Sequence, residues 1–256
     1  MSKLELYQFP YLSDNYGFIL HDATTGKTAA IDCGDAESYL QALDAKGWNL
    51  TEIWITHHHW DHVQGLMDVK AKTGCRVRGP KQKSTAIEGL DEYFWDGDTF
   101  EFAGRRVQVI STPGHTTDMI NYYLPSENIL FSGDTLFTLG CGRIFEGTPQ
   151  MMWESMERLL RLPVSTLIYG SHEYTLANAK FALSVDPENE MLEARAVEVE
   201  EMRKEGTPTV PTTLELELAT NPFLRAGDKV IREHLGMANA SDAEVFAEIR
   251  KRKDNF

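Results

Sequence analysis

The chain has 256 residues, and its 25 lysines and arginines against 39 aspartates and glutamates leave a formal charge of −14 at pH 7. With 42% hydrophobic and 25% charged residues it is globular rather than disordered or fibrous, long enough for one large core or a main domain with a smaller companion. The acidic balance disfavours a nucleic-acid binder, no apolar run reaches the ~18 residues of a membrane span, and taken alone the charge also discourages an anionic ligand.

Met1 to Tyr7 alternates like a strand and lacks the apolar stretch and cleavage site of a signal peptide, so a cytoplasmic protein is expected. Strand-like runs follow at Gly17–His21 and Thr28–Asp32, joined by a polar turn, and Ser38–Ala45 with Gly47 behind it reads as a short helix and its stop. Ile53–Thr56 is a brief β-branched and aromatic strand. Further strands are expected at Arg76–Arg78, Thr99–Phe102, Arg106–Ile110, Ile120–Leu124, Ile129–Phe131 and Leu167–Tyr169, with a hairpin turn at Ala103-Gly104. Met151–Leu162 is helical. The alternation of strands and helices points to a layered α/β arrangement. Past Thr175 the pattern turns helical, at Leu176–Leu183, Met191–Lys204 and Asp242–Lys251, the last opened by the capping box Ser241-Asp242-Ala243-Glu244. Thr213–Leu218 alternates Leu with Glu and fits strand or helix equally. Cys33, Cys75 and Cys141 are an odd number without a CxxC pair, as expected of reduced thiols.

The densest chemistry lies in Thr56-His57-His58-His59-Trp60-Asp61-His62, an HxHxDH pattern directly after a strand. Imidazole and carboxylate together suit zinc, iron or manganese. In extended backbone alternate side chains point the same way, so His57 and His59 can share one ion while Asp61 and His62 address a second. His58 points elsewhere and reads as a hydrogen-bonded structural histidine. His115, Asp134 and His172 each sit in a turn after a β-rich run. Seven N/O ligands without cysteine point to a catalytic two-metal centre rather than a closed structural zinc site. No GxSxG elbow is present.

The HxHxDH motif with the later His, Asp and His resembles the metallo-β-lactamase superfamily. Gly140-Cys141-Gly142-Arg143, Phe145-Glu146-Gly147-Thr148, His172-Glu173-Tyr174-Thr175, Asn221-Pro222-Phe223-Leu224-Arg225 and the basic close Arg250-Lys251-Arg252-Lys253-Asp254 resemble its hydroxyacylglutathione hydrolase (glyoxalase II) family, nearly end to end. That resemblance implies an α/β fold, a four-layer αββα sandwich with a C-terminal helical subdomain. It divides the chain into a metal-carrying domain over 1–174 and a helical substrate-binding subdomain over 175–256.

It further implies two divalent ions, zinc first, with iron or manganese as alternatives. His57, His59 and His115 would hold one and Asp61, His62 and His172 the other, with Asp134 bridging. Arg143, Phe145, Tyr174, Arg250 and Lys253 would bind the substrate. Arg143 and Phe145 stand where relatives often carry Lys and Tyr, so the charge is kept and a phenolic hydroxyl is lost. The expected reaction is hydrolysis of S-(2-hydroxyacyl)glutathione, S-lactoylglutathione above all, by attack of a metal-bridging hydroxide, in methylglyoxal detoxification. The expected protein is a monomer with no nucleic-acid or membrane partner. Rival readings are another hydrolase of the superfamily, a mononuclear iron persulfide dioxygenase and a non-catalytic metal-binding scaffold. Net charge is a sum over the surface, and four basic residues gathered at Arg250–Lys253 leave room for a dianionic tripeptide on an acidic protein.

Overall fold

In the computed structural model, which describes residues 3–81 and 86–256, the N-terminal alternation forms β1 (Glu5–Tyr11); Met1 and Ser2 lie outside the described residues. It pairs antiparallel with β2 (Asn15–Asp22), and that with β3 (Lys27–Ile31). Helix α1 (Ala36–Lys46) then crosses over to β4 (Glu52–Trp54), and α2 (Trp60–Val63) and α3 (Leu66–Thr73) lead to β5 (Arg76–Pro80), followed by β6 (Glu92–Phe94). Strands β3 to β6 run parallel, so a six-stranded sheet in chain order is formed among the described residues. Helix α1 begins two residues before the expected Ser38 because Asp35 caps it, its carboxylate accepting from Ser38 N at 2.8 Å; Gly47, at φ 66°, ends it.

Contacts divide the chain into two units, Met1–Ser111 with Asp118–Glu127, and Thr112–Thr117 with Asn128–Phe256. The first holds the sheet just described and an antiparallel meander of β7 (Thr99–Phe102), β8 (Arg105–Ser111) and β9 (Ile120–Leu124). The β7–β8 hairpin turns at Ala103 and Gly104 as expected, both at positive φ (51° and 77°), the geometry whose twist matches the strands. One face of the sheet packs on the meander: the fully buried Trp54 ring meets Phe100, Phe102 and Tyr122 with centroids 5.1, 5.2 and 5.6 Å away. Tyr122 Oη donates to the Ile55 carbonyl at 2.7 Å, which satisfies its hydroxyl inside the core. The other face buries Phe9, Ile19, Ile53 and Val77 against Tyr39 and Leu43 of α1 and Leu66 and Val69 of α3. Each such side chain contributes about 1.5–3 kcal/mol by leaving water.

The second unit opens with β10 (Ile129–Gly133) and the two-residue strands β11 (Leu136–Phe137) and β12 (Gly140–Cys141). Then come α4 (Pro149–Leu159), β13 (Leu167–Gly170), α5 (Thr175–Val185), α6 (Glu190–Lys204), β14 (Thr212–Thr213), α7 (Leu214–Thr220), α8 (Lys229–Leu235) and α9 (Asp242–Asp254). Strand β10 pairs in parallel with β13, and β13 antiparallel with β14. Helix α4 starts earlier than Met151, since Thr148 caps it and Pro149 occupies its first turn, and it ends at Leu159. The Thr213–Leu218 alternation resolves into both candidates. Strand β14 ends at Thr213, whose hydroxyl accepts from Leu216 N and starts α7. The capping box of α9 forms as expected, and the helix continues three residues past Lys251. Ala179 and Ala182 of α5 pack on Leu192 and Val199 of α6 around Leu139, and Trp153 of α4 lies against Phe246 of α9.

Candidate metal centre

In the first unit the parallel strands deliver the motif from their carboxyl ends, where crossover loops gather functional groups in α/β sheets. Strand β4 runs out through Ile55 and Thr56 into His57. Beside it Asp32 follows β3 with a left-handed φ of 57°, a strained conformation that its side chain accounts for. Its Oδ1 accepts from Thr56 N at 2.7 Å and its Oδ2 lies 2.8 Å from His62 Nδ1. That contact turns His62 Nε2 toward the Asp61 carboxylate, 3.4 Å away. His57 Nδ1 lies 3.0 Å from Thr56 Oγ1, which directs its Nε2 at His59 Nδ1, 3.1 Å distant. His57 and His62 are fully buried. His58 faces the other way and sets its Nδ1 3.2 Å from Asp118.

In the second unit His115 Nε2 and His172 Nε2 each lie 3.3 Å from Asp134 Oδ2, and all three residues are buried. His115 is oriented through Nδ1, 2.8 Å from the Arg143 carbonyl. Gly142 makes this approach feasible: a Cβ there would lie 2.0 Å from the Asp134 carbonyl and 3.0 Å from His115 Nδ1. His172 stacks on Tyr174 with the ring centroids 4.8 Å apart and the planes nearly parallel.

The donor set suits divalent cations. Two donors ~2.1 Å from one ion at a tetrahedral angle lie ~3.4 Å apart, and the facing pairs His57–His59, His62–Asp61, His115–Asp134 and His172–Asp134 are separated by 3.1 to 3.4 Å. Three of the imidazoles are oriented through the opposite ring nitrogen by a hydroxyl, a carboxylate or a carbonyl, the outer bonds that fix tautomer and direction in metal sites. All four first-unit candidates are grouped in one loop and its following turn, and the three later ones meet in the second unit.

The five expected substrate residues all lie in the second unit. The Phe145 ring packs edge-on against His115 with centroids 5.3 Å apart, and Arg143 is exposed. Arg250, on α9, is buried: Nη1 donates to the Cys141 carbonyl at 3.0 Å, Nε and Nη2 pair with Asp254, and the guanidinium lies 5.1 Å from the Phe223 ring centre. One turn on, Lys253 Nζ donates to the Ala177 carbonyl at 3.0 Å. Its burial, with the charges of Arg250 and Arg143, lowers its pKa to about 8.

Sequence reading missed three supports. Asp32 had a signal in Ile31-Asp32-Cys33-Gly34, an acid at the end of an apolar strand. Asn15 and Tyr11, which reach Asp61 from the first hairpin, had none. Nor was the buried pair of Arg195 and Glu217 anticipated, since Arg195 lies on the otherwise apolar face of α6. Glu217 accepts from Leu139 N and from Asn221, whose amide also donates to the Gly140 carbonyl, so the pair braces the β11–β12 turn that leads into Cys141–Arg143.

Comparison with known proteins places this arrangement. Residues 14–172 match the family model described as metallo-β-lactamase superfamily, and residues 173–256 that described as hydroxyacylglutathione hydrolase C-terminus. Hydroxyacylglutathione hydrolases of Rhizobium meliloti (strain 1021) and Maricaulis maris (strain MCS10) are 55% and 52% identical, each over 100% of both chains. Among solved structures, ETHE1 from Myxococcus xanthus aligns with a TM-score of 0.69 at 24% identity, covering 96% of this chain and 90% of that one. TTHA1623 in a di-iron-bound form aligns with a TM-score of 0.61 at 22% identity, covering 86% and 99%. These likenesses establish the metallo-β-lactamase fold with a C-terminal helical region, and with the full-length relatives they show that the chain belongs to the hydroxyacylglutathione hydrolase family of that superfamily.

Proposed function

We propose that the protein is a metal-dependent thioesterase that hydrolyses S-(2-hydroxyacyl)glutathione, with S-lactoylglutathione its main substrate, to glutathione and a 2-hydroxy acid such as D-lactate. The observation that carries this reading is the crowding of Arg143, Arg250 and Lys253 in the same unit as His115, Asp134 and His172. Burial and the charges of Arg250 and Arg143 lower the Lys253 pKa, an anion beside it would favour its charged form, and glutathione brings two carboxylates. The proposed centre comprises one ion on His57, His59 and His115, a second on Asp61, His62 and His172, and Asp134 between them. The proposed metal is zinc, for which the donor set is suited together with iron and manganese.

Two such ions supply an activated water near neutral pH and a Lewis acid for the thioester carbonyl. The chain's own residues do the rest. Asp32, Thr56 and the Arg143 carbonyl hold the imidazoles in their directions. Arg143 and Lys253 take the glutathione carboxylates, while Arg250 anchors α9 to the Cys141 carbonyl and adds its charge. Tyr174 and Phe145 flank the substrate beside His172 and His115. The leaving thiolate has a solution pKa of ~8.5, so it departs without a general acid.

In this reading residues 1–174 carry the metals and 175–256 contribute substrate contacts, a division close to the family-model boundary between 172 and 173. The protein would act as a cytoplasmic monomer in methylglyoxal detoxification. No helix of the described residues is long and apolar enough to cross a membrane.

Elemental analysis of the purified protein, combined with turnover of S-lactoylglutathione, tests the reading. Two metal ions per chain and oxygen-independent hydrolysis are expected, and Asp134→Ala should abolish turnover and lower metal content. Two bound ions without thioester cleavage would overturn the function. Wild-type activity in metal-replete Asp134→Ala would overturn the bridging role.

A further inference from the structure

We propose that Asn15 is a positioning residue for metal binding: its side-chain amide holds the Asp61 carboxylate in the orientation in which that carboxylate takes a divalent cation. The inference rests on the reading of Asp61 as a ligand and goes beyond it. Asn15 opens β2, is 3% exposed, and donates through Nδ2 to Asp61 Oδ2 at 3.0 Å. The same oxygen lies 3.4 Å from His62 Nε2, so the amide fixes the atom that faces the next ligand. The Tyr11 hydroxyl, from the facing end of β1, donates to the main-chain carbonyl of Asp61 at 2.9 Å. Gly34 lets that carbonyl approach, since a Cβ there would lie 1.7 Å from it. Asp61 is thus held at both main chain and side chain, and its direction is set before any cation arrives.

Two features point past a purely structural bond. The donor is a neutral amide, which orients the carboxylate and leaves its full negative charge for a cation. A Lys or Arg in its place would neutralise the group and compete with the ion. The hairpin that presents Asn15 also contains Leu12 at a left-handed φ of 49°, unfavourable for a leucine, within the turn closed by the Tyr11–Asn15 pair.

Asn15→Leu keeps the branched four-atom skeleton of the side chain and removes the donor. Zinc-loaded wild type, Asn15→Leu and Asp61→Ala are compared by competition with a chromophoric chelator, and the melting temperature of each metal-free protein is the control for folding. Asn15→Leu is expected to lose roughly 10- to 100-fold in affinity for one zinc ion, with a metal-free melting temperature within a few degrees of wild type, while Asp61→Ala loses that ion altogether. Unchanged zinc affinity in Asn15→Leu beside a deficient Asp61→Ala overturns the inference and leaves the ligand assignment standing. Full zinc retention in Asp61→Ala overturns the assignment itself. A loss of affinity in Asn15→Leu matched by a large fall in metal-free melting temperature makes the residue structural and overturns the inference as well. Should Asn15→Leu fail to fold, Asn15→Ala is read by the same outcomes.

Discussion

Arg250 and Lys253 stand one helical turn apart and should respond to mutation in opposite ways. Arg250→Met removes a buried hydrogen bond from a charged donor to the Cys141 carbonyl, of a kind that contributes about 1.5–3 kcal/mol. The guanidinium over Phe223 adds roughly 0.5–1 kcal/mol. The Asp254 carboxylate is 41% exposed, so its pairing is discounted to about 0–1 kcal/mol. A net loss of about 2–5 kcal/mol lowers the melting temperature by roughly 5–15 °C in a chain of this size. Lys253→Met gives up one bond to α5, the ammonium's contacts with the Phe181 and Phe256 rings at 5.2 and 5.5 Å and the charge proposed to meet a substrate carboxylate, and it relieves the desolvation of that charge. Its melting temperature should stay near wild type while KM for S-lactoylglutathione rises about 10- to 100-fold. Thermal melts by circular dichroism and initial rates over a range of substrate concentrations measure both. The reasoning is refuted if Arg250→Met melts like wild type, or if Lys253→Met is destabilised with KM unchanged.

Because the Lys253 pKa lies near 8, its charge fades as pH rises through that value. KM should climb between pH 7 and 9 in wild type, and this component of the rise should vanish in Lys253→Met. For stability the sign is the reverse: the folded pKa lies below the unfolded 10.5, the unfolded chain binds more protons between the two values, and this group's contribution to stability grows from pH 8 to about 10.5. Phe145→Tyr supplies the phenolic hydroxyl that the family resemblance implies at this position and should lower KM about two- to tenfold, the range of one neutral hydrogen bond, measured in steady-state kinetics. Glu217→Ala strands the buried Arg195 and should cost about 3–5 kcal/mol in denaturant titration, more than any surface carboxylate replaced in parallel.

Much of this molecule is legible in its sequence because short-range chemistry decides it. The capping box at Ser241, the stop at Gly47 and the turn at Ala103-Gly104 are local devices, and each forms where the residues say. Helix starts drift by one or two residues where the cap is an Asp or Thr ahead of the apolar pattern, as at Asp35 and Thr148. The HxHxDH run announces its candidate ligands because four of them share one loop. Apart from Asp32, at the end of an apolar strand, what supports them is not legible. Asn15 and Asp61 lie 46 positions apart, and Arg195 reads as a surface charge until α7 brings Glu217 to it. Such pairs are made by the topology, with no spacing in the chain to announce them.

Cys141 carries a further consequence. It borders the loop that leads to Arg143, in a protein proposed to bind a thioester at every turnover, so an ionised cysteine there would invite transfer of the acyl group to its sulfur, with glutathione thiolate leaving. Burial lifts its pKa to about 11 in spite of the neighbouring Arg250 charge. At pH 7 that leaves about one molecule in ten thousand as thiolate, the only form that exchanges. Arg250 Nη1 donates to the carbonyl of this residue at 3.0 Å and to its sulfur at 3.7 Å, and burial outweighs the pull of both charge and bond. The loop can therefore meet a thioester at every turnover and stay unacylated, a form of protection against its own substrate that requires no separate repair.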